Sequence, residues 1–228
     1  MDFPKYKGVL YHFPKLYKLL PGDFPYYFTF QELSDWLNLQ ALEPGSIVLD
    51  MGCGDGVFAF WIAEQRKDIF IIGVDESANM LAEAKKNQQE KQIKNTHFLC
   101  KSVVDFTTED LNAFISERGI KKGGADLMCF SFALTAMSDY EKAFVNSLSL
   151  LSKNCVCFVM DMQRENTLIN QVCHFFYEIV LLGGNCYRNI PAVMQEYLSD
   201  FKKYQKTITD DLFHFGTMSP YLAKGVKQ

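Results

Sequence analysis

The sequence is short of positive charge, of long apolar runs and of patterned cysteine. Lys and Arg number 23 against 27 Asp and Glu, which leaves a net charge of −4 and a pI near 5.6. A basic face for nucleic acid is therefore not expected. Met1-Asp2-Phe3-Pro4-Lys5 has no apolar run of the kind that opens a secretory leader. The most apolar late stretch, Val172 to Gly183, is interrupted by His174 and Glu178 and is too short to span a bilayer. The seven cysteines are scattered without metal-ligand spacing. They read as free thiols in a reducing cytosol, so a cytoplasmic location and no metal are expected. Internal repeats and low-complexity tracts are also missing. What remains is an ordinary globular composition, 48% hydrophobic and 22% charged over 228 residues, enough for one domain with a sizeable core.

The informative stretch is Ile47-Val48-Leu49-Asp50-Met51-Gly52-Cys53-Gly54-Asp55-Gly56. Its apolar run is short, continuous and branched, as in a buried parallel strand. Three glycines on alternate positions then allow a sharp turn and a close approach of the backbone to a ligand. Val57 to Gln65 contains neither Gly nor Pro and reads as a helix. Strand, Gly-rich turn and helix N-terminus in that order form a nucleotide-binding crossover.

Around this unit the pattern alternates. Residues 1–28 carry many aromatics between Pro4, Pro14, Pro21 and Pro25, so they cannot form one regular helix and read as an arm over the core. Thr29-x-x-Glu32 is a capping box that opens a helix to about Gln40. Ile69 to Asp75 reads as a second strand, with a Ser77-capped helix after it to about Lys91 and a third strand at Thr96 to Leu99. Thr107-x-x-Asp110 opens another helix, and Ala125 to Ser131 is a fourth strand. Ser138-x-x-Glu141 reads as a further capping box for a helix to about Leu151, and Cys155 to Asp161 as the fifth strand. Five alternations predict a parallel sheet with helices on both faces. Residues 163–205 then read as a helical insert forming a substrate cap, with helices over Glu165 to Leu182 and Pro191 to Tyr204. Residues 206–228 hold two final strands, Asp211 to Phe215 and Ser219 to Val226.

Two acids narrow the ligand. Asp75 ends the second strand, where a carboxylate can accept both ribose hydroxyls. Asp50 lies two residues before the first glycine, and with Asp55 it would repel a pyrophosphate at the turn. A ligand carrying an ammonium or sulfonium charge is favoured instead. At this point Leu49-Asp50-Met51-Gly52-Cys53-Gly54-Asp55-Gly56 and Asp75 resemble the first and second motifs of the class I S-adenosylmethionine-dependent methyltransferases, over a core from about residue 29 to 162. The resemblance implies a Rossmann-like seven-stranded α/β sheet, mostly parallel, with the last strand antiparallel. It implies S-adenosyl-L-methionine as cofactor, with Gly52, Cys53 and Gly54 against its methionine portion and Asp50 orienting its amino group. Asp75 would hold the ribose, with Glu76 and Met80 beside the adenine. Ser102 and Val103 follow the third strand where the family faces the adenine amine. Phe130 and Ser131 would line the methionine tail, and Tyr11 and Tyr17 of the arm would close over the cofactor.

The late motifs, Phe176-Tyr177-Glu178, Leu181-Leu182-Gly183-Gly184 and Tyr197 to Phe201, are similar to the ubiquinone and menaquinone C-methyltransferases. The expected acceptor is a small molecule, aromatic or partly apolar. Phe132, Tyr177 and His12 are the candidate substrate contacts, and His174, on one helix face with Tyr177, is the candidate general base. His97 and His214 are set aside, and Cys53 reads as a small space-filler rather than a nucleophile. Alternative readings are a protein or RNA methyltransferase and an NAD-dependent oxidoreductase. An Asn-Pro-Pro-Tyr motif for base methylation is missing after the fourth strand, where Ser131-Phe132-Ala133-Leu134 stands.

Overall fold

The computed structural model of the chain describes residues 28–120, 123–164, 171, 184–206 and 218–228. The first helix, α1 (Phe30–Leu37), starts as its capping box requires: Thr29 Oγ accepts from the Glu32 N–H, and the Glu32 carboxylate accepts from the Thr29 N–H at 2.7 Å. It stops before Gln40 because Asn38 adopts a left-handed conformation (φ 51°), and a short 3₁₀ turn, Leu39–Ala41, carries the chain on. Leu33 and Leu37, one turn apart, are its buried face.

The sheet follows the expected alternation: β1 (Ile47–Met51), α2 (Val57–Gln65), β2 (Phe70–Asp75), α3 (Ala78–Lys91), β3 (Thr96–Cys100), α4 (Thr108–Glu117), β4 (Ala125–Ser131), α5 (Tyr140–Leu148) and β5 (Leu151–Arg164). Then come α6 (Ile190–Tyr197), β6 (Ser199–Gln205) and β7 (Met218–Val226). Strand order is β3-β2-β1-β4-β5-β7-β6, seven strands in one sheet. The pairs among β1 to β5 are parallel, and β7 runs antiparallel to both β5 and β6. The chain winds outward from β1 in one direction and from β4 in the other. The crevice between their C-terminal ends is the topological switch point where open α/β sheets bind ligands.

Alternation along β1 divides the core into two layers. Ile47, Leu49 and Met51 belong to one cluster with Phe130, Phe144 and Tyr221. Val48 belongs to the other, with Phe58, Ile62, Ile71 and Phe158. Each fully buried Ile, Leu or Phe stabilises the fold by roughly 1.5–3 kcal/mol. Helix α2 buries Phe58 through Ala63 because the sheet lies on one side and Phe30 of α1 stacks on Trp61 at 5.9 Å on the other.

Three expectations are corrected. Ser138 and Glu141 form no capping box: α5 begins at Tyr140 with Asp139 as N-cap and no side-chain cap, and Glu141 accepts from the Tyr140 hydroxyl at 2.8 Å. The preceding loop is committed elsewhere, as described below. Residues 199–205 are a strand, not the end of a helix. β7 offers its free edge, and Lys202, Tyr204 and Gln205 pair with Lys224, Leu222 and Tyr221. β6 is an exposed, lysine-bearing edge strand with no apolar alternation to read. Finally, β5 extends to Arg164 because β7 pairs with it along Val156 to Arg164, so the insert begins later than residue 163. The expected strand at Asp211 to Phe215 lies outside the described residues. So does the expected helix over Glu165 to Leu182, apart from Gln171.

Candidate active site

The glycine turn after β1 is held by main-chain bonds that side chains could not accommodate. The Gly52 and Cys53 N–H groups both donate to the Val74 carbonyl at the end of β2, at 2.7 and 3.2 Å. Gly52, Gly54 and Gly56 all have positive φ, at 78°, 54° and 84°. A Cβ on Gly52 would stand 2.7 Å from Ala133 Cβ and 2.9 Å from Met137 Cε, so the loop after β4 lies directly on this glycine. Gly73 of β2 is equally constrained, because Cys53 Sγ occupies the place of its side chain at 2.7 Å. The Cys53 thiol is pushed well above its ordinary pKa by burial and by the nearby Asp50 and Asp75 carboxylates. It fills space and does not ionise.

Asp75 joins the turn to α3. Its carboxylate accepts from the Gly54 N–H at 2.9 Å and from the Ser77 N–H at 2.8 Å. A carboxylate has lone pairs beyond these two, so the residue can serve the turn and still accept from a ligand. Met80, in the first turn of α3, is buried, and its Cε lies 3.2 Å from where a Gly54 Cβ would be. Glu76, next in the chain, is exposed. Beyond β3, Ser102 is half-buried and precedes a 3₁₀ turn, Val103–Asp105, whose Val103 side chain enters the core.

Asp50 is the chemically exceptional group. It is fully buried, and neither carboxylate oxygen has a partner at hydrogen-bonding distance and angle. The Ala59 N–H, in the first turn of α2, lends only a weak stabilising pull. Burial, reinforced by the Asp75 charge, raises the Asp50 pKa from 3.8 to about 7. Buried polar atoms are nearly always hydrogen-bonded. An orphaned acid beside a glycine turn is therefore a place prepared for a donor, and an ammonium group meets that need with hydrogen bonds and charge together.

Within β4, the Phe130 side chain turns into the core and packs on Phe144 at 6.0 Å. Phe130 can thus face the crevice only through its main chain. Ser131 and Phe132 are half-buried at the strand's C-terminal end. Phe132 has a positive φ of 51°, uncommon for an aromatic residue, while its N–H donates to the Met160 carbonyl at 2.7 Å. His97 lies in β3, half-buried and edge-on to Phe114 at 5.7 Å, with its pKa lowered by burial and by the Arg118 charge. Tyr11, His12, Tyr17, His174 and Tyr177 lie outside the described residues. Among those described, no group of three or more His, Cys, Asp or Glu is placed to hold a metal ion.

One part of the site was not anticipated. Asp161 of β5, fully buried, accepts from the Thr135 N–H and hydroxyl at 3.1 and 2.7 Å and from the Met162 N–H at 2.9 Å. Arg188 donates to the carbonyls of Leu134 (2.6 Å), Thr135 (3.0 Å) and Met137. Thr135 and Arg188 stand 53 residues apart in sequence, and nothing local announces the contact.

The family model described as a methyltransferase domain matches residues 42–210. The chain belongs to the methyltransferase domain family. It is an S-adenosylmethionine-dependent methyltransferase, and its unpaired Asp50 and side-chain-free Gly52 fit an amino-acid nucleoside cofactor of that kind. Solved structures share the fold at low identity. The YcgJ protein of Bacillus subtilis superposes with a TM-score of 0.64 at 15% identity, over 87% of this chain and 98% of its own. Phosphoethanolamine N-methyltransferase 2 of Haemonchus contortus, solved with phosphomonomethylethanolamine and S-adenosylhomocysteine, gives 0.65 at 13% identity. That match covers 86% of this chain and only 52% of the Haemonchus enzyme. Magnesium protoporphyrin IX methyltransferase of Synechocystis PCC 6803, solved with S-adenosylmethionine, gives 0.57 at 14% identity, over 87% and 77% of the two chains. No curated protein sequence matches. Among the described residues no helix is long and apolar enough to cross a membrane.

Proposed function

We propose that this methyltransferase acts on a small molecule, aromatic or partly apolar, in the cytoplasm. The observation that carries the donor side of this reading is the buried, unpartnered carboxylate of Asp50 beside the glycine turn. In this reading Asp50 accepts from the amino group of the methionine portion, and the main chain of Gly52 and Gly54 packs along it. Asp75, which accepts from the Gly54 and Ser77 N–H groups at the turn, also accepts from the ribose hydroxyls. Glu76, Met80, Ser102 and the main chain of Val103, whose side chain is committed to the core, surround the adenine, while Ser131 and the main chain of Phe130 flank the methionine tail. S-adenosylmethionine supplies a methyl group already activated by its sulfonium charge. The chain's own task is then to align an acceptor in line with that methyl and to keep water away.

The acceptor side rests on the sequence. The late motifs are ordered like those of quinone-ring C-methyltransferases, which favours an aromatic acceptor. Tyr11 and Tyr17 are assigned to closing over the cofactor, Phe132, Tyr177 and His12 to the acceptor, and His174 to proton removal from it. The neighbouring folds include enzymes as different as a phosphoethanolamine N-methyltransferase and a magnesium protoporphyrin IX methyltransferase, so the fold alone does not choose among acceptors.

Calorimetric titration with S-adenosylhomocysteine and with NADH tests the donor assignment. Tight binding of the first and none of the second is expected, and the reverse would overturn it. Mass spectrometry of small molecules that copurify with the His174→Ala variant tests the acceptor side. A purely aliphatic, highly polar acceptor would overturn that half.

A further inference from the structure

The loop after β4, residues 132–139, has no regular structure of its own, yet it forms a wall of the donor site through Ala133 and Met137, which occupy the space of a Gly52 side chain. What holds it there comes from elsewhere in the chain. The Arg188 guanidinium donates to the carbonyls of Leu134 and Thr135 at 2.6 and 3.0 Å and to that of Met137, and it lies 3.5 Å from the Ser138 carbonyl. Its carbon lies 4.8 Å from the centre of the Tyr140 ring, so the first residue of α5 covers one face. The Asn185 N–H also donates to the Thr135 carbonyl at 2.7 Å. The buried Asp161, whose charge also interacts with Arg188, takes both the N–H and the hydroxyl of Thr135. The loop is thus gripped between a cation that collects its carbonyls and an anion that collects its donors. Carbonyls that converge in this way repel one another unless a multi-donor cation lies among them, and the planar fork of arginine suits that task better than an ammonium.

Resting on the donor reading above, we propose that Arg188 is a positioning residue for methyl transfer. By gathering the carbonyls of residues 134–138 it presses Ala133 and Met137 onto Gly52, and so sets the width of the site where the methionine portion lies. It also ties that wall to the segment before α6, so the donor wall and the chain leading into α6 move as one unit. Its reach is longer than that of any local cap, because the two partners belong to different connections of the sheet.

The test uses the full chain, its Arg188→Ala and Arg188→Lys variants, and a milder Thr135→Val that removes only the hydroxyl grip. Affinity for S-adenosylhomocysteine is measured by calorimetry, and hydrogen exchange is followed on the ligand-free proteins. Arg188→Ala should bind about 10- to 100-fold more weakly. Arg188→Lys should recover part of the loss, and added methylguanidinium should restore affinity to Arg188→Ala, which a general loss of folding would not allow. The amides of residues 135–137 should exchange faster in Arg188→Ala, with those of β1 and β2 unchanged. Thr135→Val should shift both readings in the same direction by less. Affinities within about twofold of the parent in all three variants would overturn the positioning role, and unchanged loop exchange would overturn the clamp itself. A parent that fails to bind S-adenosylhomocysteine would instead overturn the donor reading, with the clamp then judged by exchange alone.

Discussion

Two fully buried aspartates, Asp50 of β1 and Asp161 of β5, face the same physical problem and solve it differently. Burial raises both, Asp50 to about 7 and Asp161 to about 6. Asp161 accepts three hydrogen bonds from Thr135 and Met162, and these offset part of its desolvation. Asp50 has no such partner and carries the added repulsion of Asp75. The satisfied acid organises a loop. The unsatisfied one leaves its cost standing in the folded chain, which makes sense where a ligand later supplies the missing charge and donors.

The comparison can be broken at several points. Gly52→Val tests the wall that both halves share. Its side chain would collide with Ala133 and Met137 in a backbone conformation that valine avoids, so binding of S-adenosylhomocysteine should vanish in calorimetry. Asp161→Ala leaves two Thr135 donors without their partner, and denaturant unfolding should report a loss of about 3 kcal/mol. Asp50→Asn should act in the opposite sense on the ligand-free protein. Removing an unpaired buried acid should leave the unfolding midpoint unchanged or higher, while S-adenosylhomocysteine affinity falls about 100-fold. Equal destabilisation of both variants would erase the distinction.

A further test is in pH dependence. A folded-state pKa raised from 3.8 to about 7 means that the folded chain keeps a proton on Asp50 which the unfolded chain has already released. The stability this gives is present at low pH and is lost as pH rises between roughly 4 and 7, then levels off. Asp161 contributes in the same direction up to about 6. Denaturation midpoints of the parent minus those of Asp50→Asn should therefore fall across that window and be flat above it. Binding of an ammonium-bearing ligand should in turn release a proton below neutral pH, which calorimetry in buffers of different ionisation enthalpy reads directly.

Much of this site was open to inspection in the primary structure because its signals are local. Asp50, Gly52, Gly54, Gly56 and Asp75 are read from spacing alone, since a sharp turn after a buried strand needs positive φ and a buried acid needs a reason. The caps at Thr29 and Thr107 were legible for the same cause, being three-residue hydrogen-bond patterns. The failures share a different cause. Ser138-x-x-Glu141 has the letters of a capping box, but the carbonyls just ahead of it are drawn to Arg188. Ser199 to Gln205 carries no strand periodicity, and it became β6 because β7 presented an edge to pair with.

Local signals in the chain were enough for the first strand, the glycine turn, the two acids beside it and the sheet they belong to. All are encoded within stretches of a few residues by backbone sterics and charge. Tertiary structure alone decided that Phe130 turns into the core, that residues 199–205 close the sheet, and that Asp161 and Arg188 converge on Thr135. Those outcomes depend on which groups remain unpaired once the parallel strands have assembled, and a hydrogen-bond partner 53 residues away leaves no trace in local pattern.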